Sequence, residues 1–387
     1  MTRSVFGLGV LVSLLLAIAV TVLACASSAP ATPTAAKAAA QPTAPAGTSP
    51  AGTSPAGAAT AAPAAPTSAA GQPAAKAVVE LRAGSSSPKE HVLSVSTDDF
   101  AERVKKKTNG EVNVRVFYGA LGAEQQLAQA VASGSVDMGM VSNGNAARFT
   151  DAFLVYDLPF LFKEFDSVFK SLEGPVGQKA LAQFEKDLGI KMLYVQSYGW
   201  GRDIYVAKKA VKIPDDIKGL KIRVVSSPVD LATVKAWGAN PTPVDYGQLY
   251  TAMQQGTVDG EGLPLSPFHA DKHYEVVKYG VRLGYQSAVE MFFINPKKFA
   301  SLSPQHQQAM LEAAKEAQEW GRKNLPGYLD KVVDEMIKTT GFQYYKPTTE
   351  EFAKWSSVRE TVWKQVAEEQ KGKLDLDMAN QIFQAQQ

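Results

Sequence analysis

The chain has 387 residues, with 40 Lys plus Arg against 38 Asp plus Glu and a single cysteine, Cys25. A net charge of +2 gives no electrostatic case for nucleic acid or for a strongly acidic surface as partner. With no cysteine beyond residue 25, disulfides are excluded as the staple of the body. A hydrophobic core must hold it, and the roughly 300 residues from Val78 onward suffice for one spread over two domains.

At the N-terminus, Arg3 precedes an uncharged apolar run, Val5 to Leu23, that closes on Val22-Leu23-Ala24-Cys25. A basic end, an apolar centre and small residues before a cut describe a secretory signal peptide over residues 1–25. Its last residues resemble a bacterial lipobox, with Val22 where leucine is more usual, and the resemblance implies lipidation at Cys25. An uncleaved anchor helix is the alternative, since the run is about the minimum for a membrane span. Both readings put the body outside the cytoplasm, in the periplasm or at the outer face of the cytoplasmic membrane, and attached to a membrane. Residues 26–77 are almost entirely Ala, Pro, Thr, Ser and Gly, and Pro45-Ala46-Gly47-Thr48-Ser49 recurs as Pro50 to Ser54. Such sequence cannot offset the entropy of ordering. It is expected to be a disordered tether, with an average reach of roughly 40 Å.

The body opens with a strand, Val78 to Ala83. A helix is predicted over about Glu90 to Lys107, with Phe100 and Val104 on one face, ending at Asn109-Gly110. Val112, Val114 and Val116 alternate as a second strand. Gly122 opens a helix through Leu127 and Val131, and Val136, Met138 and Met140 alternate as a third strand. This β-α-β-α-β order calls for a parallel sheet covered on both faces. Ligands of such sheets lie beyond the carboxyl ends of the strands, so Ser85-Ser86-Ser87 and the pair Ser142 and Asn143 are candidate rim residues. Ordinary turn chemistry would place the same residue types there.

The pattern then restarts. Lys191 to Ser197 and Ile204 to Ala207 read as strands, Lys221 to Val225 as another, and Val229 to Trp237 as a helix. Gly238 to Pro241 reads as a turn, Tyr246 to Gln255 as a helix, and Val258 to Gly260 as a short strand. Val289 to Ile294 and Phe342 to Tyr345 are predicted to return to the two sheets. Ser303 caps a helix running through Trp320, with Pro304 at its first position. A second helical stretch, about Tyr328 to Ile337, follows a break at Pro326-Gly327, and an amphipathic helix spans about Thr349 to Glu369. The expected architecture is α/β and two-lobed, a hinged clam-shell with a ligand cleft between its lobes. Residues 78–199 form lobe I, with 288–327 returning to it; residues 200–287 form lobe II, with 328–387 returning to it.

Within Lys218-Gly219-Leu220-Lys221-Ile222-Arg223-Val224-Val225, alternation sets Ile222 and Val224 on one face and Arg223 on the other. A guanidinium at the end of a buried strand needs an anion, because it cannot shed its charge. Either an internal carboxylate or a ligand can supply one.

Enzyme chemistry finds little support. His269 and His273 have the i, i+4 spacing of a zinc site. No glutamate follows the first and no third ligand is suggested, so a polar helix surface is expected and no metal. There is no Gly-x-Ser-x-Gly segment and no phosphate loop. Gly199-Trp200-Gly201 begins like a dinucleotide loop, but Ile204 holds the third glycine position. No catalytic residue and no cofactor is predicted.

Several segments, in order, resemble the extracytoplasmic solute-binding subunits of tripartite ATP-independent periplasmic (TRAP) transporters. They are Leu121-Gly122 leading to Ala130 to Gly134 and Val136-Asp137-Met138; Leu158-Pro159-Phe160-Leu161-Phe162; Lys218 to Val225; Gly238 to Pro243; Leu249 to Gly260; and Tyr274 to Tyr279. The resemblance covers nearly the whole body and implies two α/β lobes, a long connecting helix and a cleft that closes on an organic acid. Arg223 matches the arginine that grips the ligand carboxylate, by a bidentate fork suited to that group. Arg202 lies near the family's second cleft arginine; a rim ion pair with Asp203 is the alternative. Tyr246 falls where an aromatic wall is common, with helix-start packing as its alternative. Trp200 is a similar candidate without a firm counterpart, and Phe160 is expected in the core.

Many members have a Glu-Asn-Pro run after Asp-Gly, whereas this chain has Glu261-Gly262-Leu263-Pro264, so Leu263 takes the Asn position. The histidine common near Gly284-Tyr285 is also missing. Leu263 cannot satisfy a second ligand carboxylate, so the expected ligand is a monocarboxylate or 2-oxo acid with a less polar remainder. Glu261, in the same run, is a further ligand-binding candidate. The implied function is a lipid-anchored, non-enzymatic receptor, monomeric in its body. It delivers its acid to integral-membrane TRAP subunits that use an ion gradient. Two other roles share the scaffold: a sensor presenting its closed form to a signalling receptor, and an extracytoplasmic enzyme.

Overall fold

A computed structural model describes residues 78–89 and 91–386. The expected signal peptide, lipidation at Cys25 and tether fall outside the described residues. The strands, in chain order, are β1 (Val79–Ser85), β2 (Val112–Tyr118), β3 (Met138–Ser142), β4 (Lys191–Ser197), β5 (Arg202–Val206), β6 (Lys221–Val224), β7 (Asn240–Pro243), β8 (Gly260–Pro264), β9 (Tyr279–Val281), β10 (Val289–Ile294) and β11 (Gln343–Tyr345).

They form two sheets. The first has the order β2-β1-β3-β10-β4 and the second β11-β9-β5-β8-β6-β7. Neither is purely parallel, as the β-α-β pattern suggested. β10 runs antiparallel to β3 and β4, and β5 runs antiparallel to β8 and β9. Each of these strands follows a crossing from the other sheet, so it enters its own sheet from the opposite end.

The alternating Leu81, Val112, Val114, Met138 and Met140 side chains are buried in the core around the first sheet. The helix Glu124–Ser133 lies close on this sheet because β1 and β3 carry glycines beneath it. A Cβ at Gly84 would come within 2.3 Å of Leu127, and one at Gly139 within 2.9 Å. Leu127 seats in that notch, which fixes Glu124 in the helix's first turn at the carboxyl end of β3. Around the second sheet, Ile204, Ile222, Val224 and Trp237 pack one face, and Tyr205, Leu249, Leu263 and Phe268 belong to a separate cluster.

The chain passes between sheets at residues 198–201 and again at 282–288, and the two passages hydrogen-bond side by side. Tyr198 N–H donates to the Ala288 carbonyl (3.0 Å), Arg202 N–H to Gln286 (2.9 Å) and Tyr285 N–H to Arg202 (2.9 Å). Gly201 permits this approach: its φ is 111°, and a Cβ there would meet the Gln286 carbonyl at 2.5 Å. A third link is the helix Pro304–Thr340, of 37 residues. The break expected at Pro326-Gly327 does not occur. Met310, Ala313, Ala314 and Ala317 bury in the first core, while Leu325, Leu329 and Met336 bury beside the second sheet. That burial on both flanks outweighs a proline penalty of about 3 kcal/mol.

Three boundaries differ from expectation. Asn240–Pro243, which overlaps the turn expected over Gly238 to Pro241, is the edge strand β7, a place where proline is tolerated. The last predicted helix divides into Thr349–Ser356 and Arg359–Glu369, followed by Leu376–Gln384. Nor does all of 328–387 return to the second lobe. Trp355 packs there, but Val362, Trp363, Val366 and Ile382 lie in the first core, and Trp363 Nε1 donates to the Pro159 carbonyl (2.9 Å).

Candidate functional site

The carboxyl ends of β6 and β8, with the start of β5, meet the carboxyl ends of β1 and β3 across a cleft. Ser87, Glu124, Ser142, Asn145, Tyr198, Arg202, Arg223, Val225, Tyr246, Leu263, Pro264 and Pro267 line it. The cavity they enclose is about 30 Å³, close to one water's share of the liquid.

The second-lobe wall carries two cations. Arg223 is 2 % exposed; its Nε donates to the Val244 carbonyl (2.9 Å), while one terminal nitrogen is buried without a hydrogen bond. Burial, and then the like charge of Arg202, push its guanidinium pKa down, against the pull of Glu261 and Asp230. Arg202 is equally buried, and its Nε also lacks a hydrogen bond. Burial opposes its charge, but Asp230, Tyr285, Asp157 and Glu124 together outweigh that and raise its pKa. The Asp203 alternative for Arg202 does not hold. Asp203 accepts the N–H groups of Leu283 (2.7 Å) and Gly284 (2.8 Å) and the Tyr344 hydroxyl. Among the described residues neither arginine has a carboxylate in a direct ion pair. Tyr246 is half-buried over the same wall, its covered hydroxyl lacking a well-aligned hydrogen bond and lying near Asp271.

The first-lobe wall is built of acceptors and hydroxyls. One Glu124 oxygen takes three donors: Ser142 N–H (2.8 Å), Ser142 Oγ (2.6 Å) and Asn145 Nδ2 (2.9 Å). The helix N-terminus favours a carboxylate at that position. Tyr198 donates its hydroxyl to Glu290, whose other oxygen is buried without a partner. Burial, and then Glu124, push the Glu290 carboxyl well above the ordinary range. His91, edge-on to Tyr198 at 6.0 Å, is pushed down to about 3 by burial.

Arg223, Arg202, Tyr246, Ser142 and Leu263 are thus brought together, and four expected residues are not. Ser87, rather than Ser86, faces the cleft. Asn143 is spent inside the protein: its amide donates to Asp157 (3.3 Å) and Ser287 O (3.2 Å) and its carbonyl accepts from Val289 (3.2 Å), leaving Asn145 to line the wall. Trp200 lies under the Arg282 guanidinium at 3.6 Å, in a larger cavity of about 720 Å³ that contains neither cleft arginine. Glu261 is fully buried behind the wall, where both its oxygens face His273 Nδ1 (3.0 and 3.1 Å). That pairing also corrects the expectation of a polar helix surface for His273, which is buried. Glu124, Asn145 and Tyr198 had no signal in strand alternation; the helix opening at Gly122 placed Glu124 in a first turn but not at the cleft. Among the described residues, no group of three His, Cys, Asp or Glu side chains could hold a metal.

Two lobes joined by several chain crossings, with charged and polar side chains converging at the mouth between their sheets, define a hinged solute receptor. Residues 83–370 match the bacterial extracellular solute-binding proteins, family 7. The chain belongs to that family, the solute receptors of TRAP transporters, which bind organic acid carboxylates. Among its relatives is the 2,3-diketo-L-gulonate-binding periplasmic protein of Escherichia coli, 32 % identical over 261 residues, or 67 % of this chain and 79 % of that protein. The sugar acid binding protein of Advenella mimigardefordensis, solved with galactonate, is 28 % identical with a TM-score of 0.74, over 80 % of this chain and 98 % of that one. The TRAP periplasmic solute-binding protein of Sulfurospirillum deleyianum, solved with succinate, is 27 % identical with a TM-score of 0.73, over 79 % and 98 %.

Proposed function

We propose that the receptor takes an acid with one carboxylate and several hydroxyl or oxo groups. Arg223 and Arg202 grip the carboxylate, and Glu124, Asn145, Ser142 and Ser87 take the hydroxyls. The observation that carries this reading is the charge arrangement: two buried guanidiniums, without ion pairs among the described residues, on one wall, and a carboxylate facing them on the other. A ligand carboxylate at the arginines completes the first set. A second ligand carboxylate would stand against Glu124 and be repelled, while a hydroxyl there donates to it. This refines the less polar remainder expected from Leu263. Leu263, Pro264 and Val225 supply an apolar flank, but the opposite wall is polar. Relatives of comparable similarity are described with 2,3-diketo-L-gulonate, galactonate and succinate, so the choice of ligand class here rests on the Glu124 wall.

The cavity holds far less than a sugar acid, so the lobes part to admit it. Contacts from both walls then favour the closed form, which is the state presented to the membrane subunits. In this reading the chain is not an enzyme, its body acts as a monomer, and the lipid on Cys25 keeps it at the membrane. Mass spectrometry of acid retained by the purified protein, with calorimetry against galactonate, 2,3-diketogulonate, a branched 2-oxo acid and succinate, tests the ligand class. A hydroxylated or oxo monocarboxylate should bind most tightly, and succinate binding most tightly overturns it. Loss of uptake on deletion supports delivery to a transporter; intact uptake would favour the sensor.

A further inference from the structure

Arg223 and Glu261 are neighbours in register on the parallel strands β6 and β8, so their side chains share a face of the second sheet. Glu261 is 0 % exposed and does not line the cleft. Its two oxygens converge on His273 Nδ1, and His273 is 0 % exposed as well, with Nε2 buried and without a hydrogen bond. Two ionisable groups buried beside an arginine are costly, and apolar side chains of similar volume are generally no less stable. Their place directly behind a ligand-facing guanidinium suggests what they do.

We propose that Glu261 and His273 act through Arg223, setting how much of its charge a ligand carboxylate meets. This rests on the role given to Arg223 above. With His273 an imidazolium, the pair is neutral and Arg223 presents its full charge. With His273 neutral, the Glu261 carboxylate is left bare behind Arg223 and offsets it. The surroundings are few. Arg223 faces the pair from β6 and Tyr205 from β5. Tyr246, Tyr250 and Phe268 enclose the imidazole with ring centroids 6.4, 6.0 and 6.1 Å away, and Asp271 lies two residues before it. Burial opposes the imidazolium and so does Arg223, but Glu261 and Asp271 prevail, and the His273 pKa is raised above 6.5.

The sign follows from linkage. A carboxylate bound at Arg223 stabilises the imidazolium, so it raises the His273 pKa further and binds best while His273 is protonated. Affinity is full below the free-state pKa and falls as pH climbs through the window between the free and liganded values.

The test has two arms on the full chain. In the first, the imidazole of His273, one of four histidines, is titrated by NMR without ligand in the wild type, Arg223→Met and Glu261→Gln. Removing the arginine should raise the His273 pKa and removing the glutamate should lower it; a pKa unchanged in both overturns the proposal, whether or not any acid has been found to bind. In the second, D-galactonate affinity is measured from about pH 6 to 9, across the range where histidine titrates. The wild type should weaken about three- to tenfold, as expected for a buried charge a few ångströms from the ligand, and His273→Gln should be flat. A variant that keeps the wild-type slope overturns the proposal. Absence of galactonate binding at every pH counts against the ligand class and leaves the first arm to decide the pair.

Discussion

The second-lobe wall of the cleft sets its cations on strands, Arg202 at the start of β5 and Arg223 within β6, whereas the first-lobe wall hangs its polar groups on a helix mouth, the turn after β1, and the end of β3 with the short helix that follows it. Strand positions are fixed by ladder hydrogen bonds and by the core beneath, so a guanidinium there keeps its geometry without a partner. Glu124, Ser142 and Asn145 instead hold one another, with three donors on a single carboxylate oxygen. One wall is pre-aimed by the backbone and the other by its own hydrogen bonds. In the proposed reading, the second-lobe wall anchors the ligand and the first-lobe wall selects it.

The comparison breaks most sharply at Arg223. Arg223→Ala should lose about 2–5 kcal/mol of ligand affinity, the usual result of truncating one side of a buried charge pair; calorimetry showing less than a twofold change would remove the anchor. Next comes Glu124→Gln. It should weaken a hydroxylated monocarboxylate by about 1–3 kcal/mol and weaken succinate less, narrowing the discrimination. If both ligands lose equally, the first-lobe wall does not select.

A smaller effect concerns the seam behind both walls, where Asp157 accepts from Asn143 and the Ser227 hydroxyl. Burial is the main cause that raises its pKa, to about 6, with Asp230 adding to it against Arg202 and Ser227. A carboxyl that holds its proton more tightly folded than unfolded adds stability that is complete below 3.8 and lost as pH rises to about 6. Asp157→Asn should therefore flatten the pH dependence of the unfolding midpoint across that window, and an unchanged slope would assign it to other groups. The smallest change is expected at Trp200. Stacked under Arg282 and outside the cleft, Trp200→Ala should leave affinity within about 0.5 kcal/mol; a larger loss would bring the 720 Å³ cavity into ligand binding.

How much of this was legible in the sequence follows the same division. Strand alternation in Lys221 to Val225 gave Arg223 its face, and Ile222 and Val224 are buried opposite it as expected. Leu263 and Tyr246 followed from resemblance in the same lobe. On the first-lobe wall the signal was weak, because Ser and Asn at strand ends are what turns use anyway. Ser86 gave way to Ser87 and Asn143 to Asn145 through a one- or two-residue rotation that no periodicity fixes. The helices Phe165–Glu173 and Pro175–Leu188 went unread between the Leu-Pro-Phe segment and β4. Pro326 was taken as a break because a local penalty is visible in the sequence, and the long-range burial that outweighs it is not.

That proline sits in a helix clamped at both ends, its first half in the core of one lobe and its second half against the other. A rod fixed in two bodies that rotate about a hinge must flex whenever they do, and it resists in proportion to its stiffness. At Pro326 the helix lacks the N–H that would bond the Arg322 carbonyl, so the rod is most compliant in the turn where its second clamp begins. The receptor thus carries a spring in parallel with its hinge, softened at one turn.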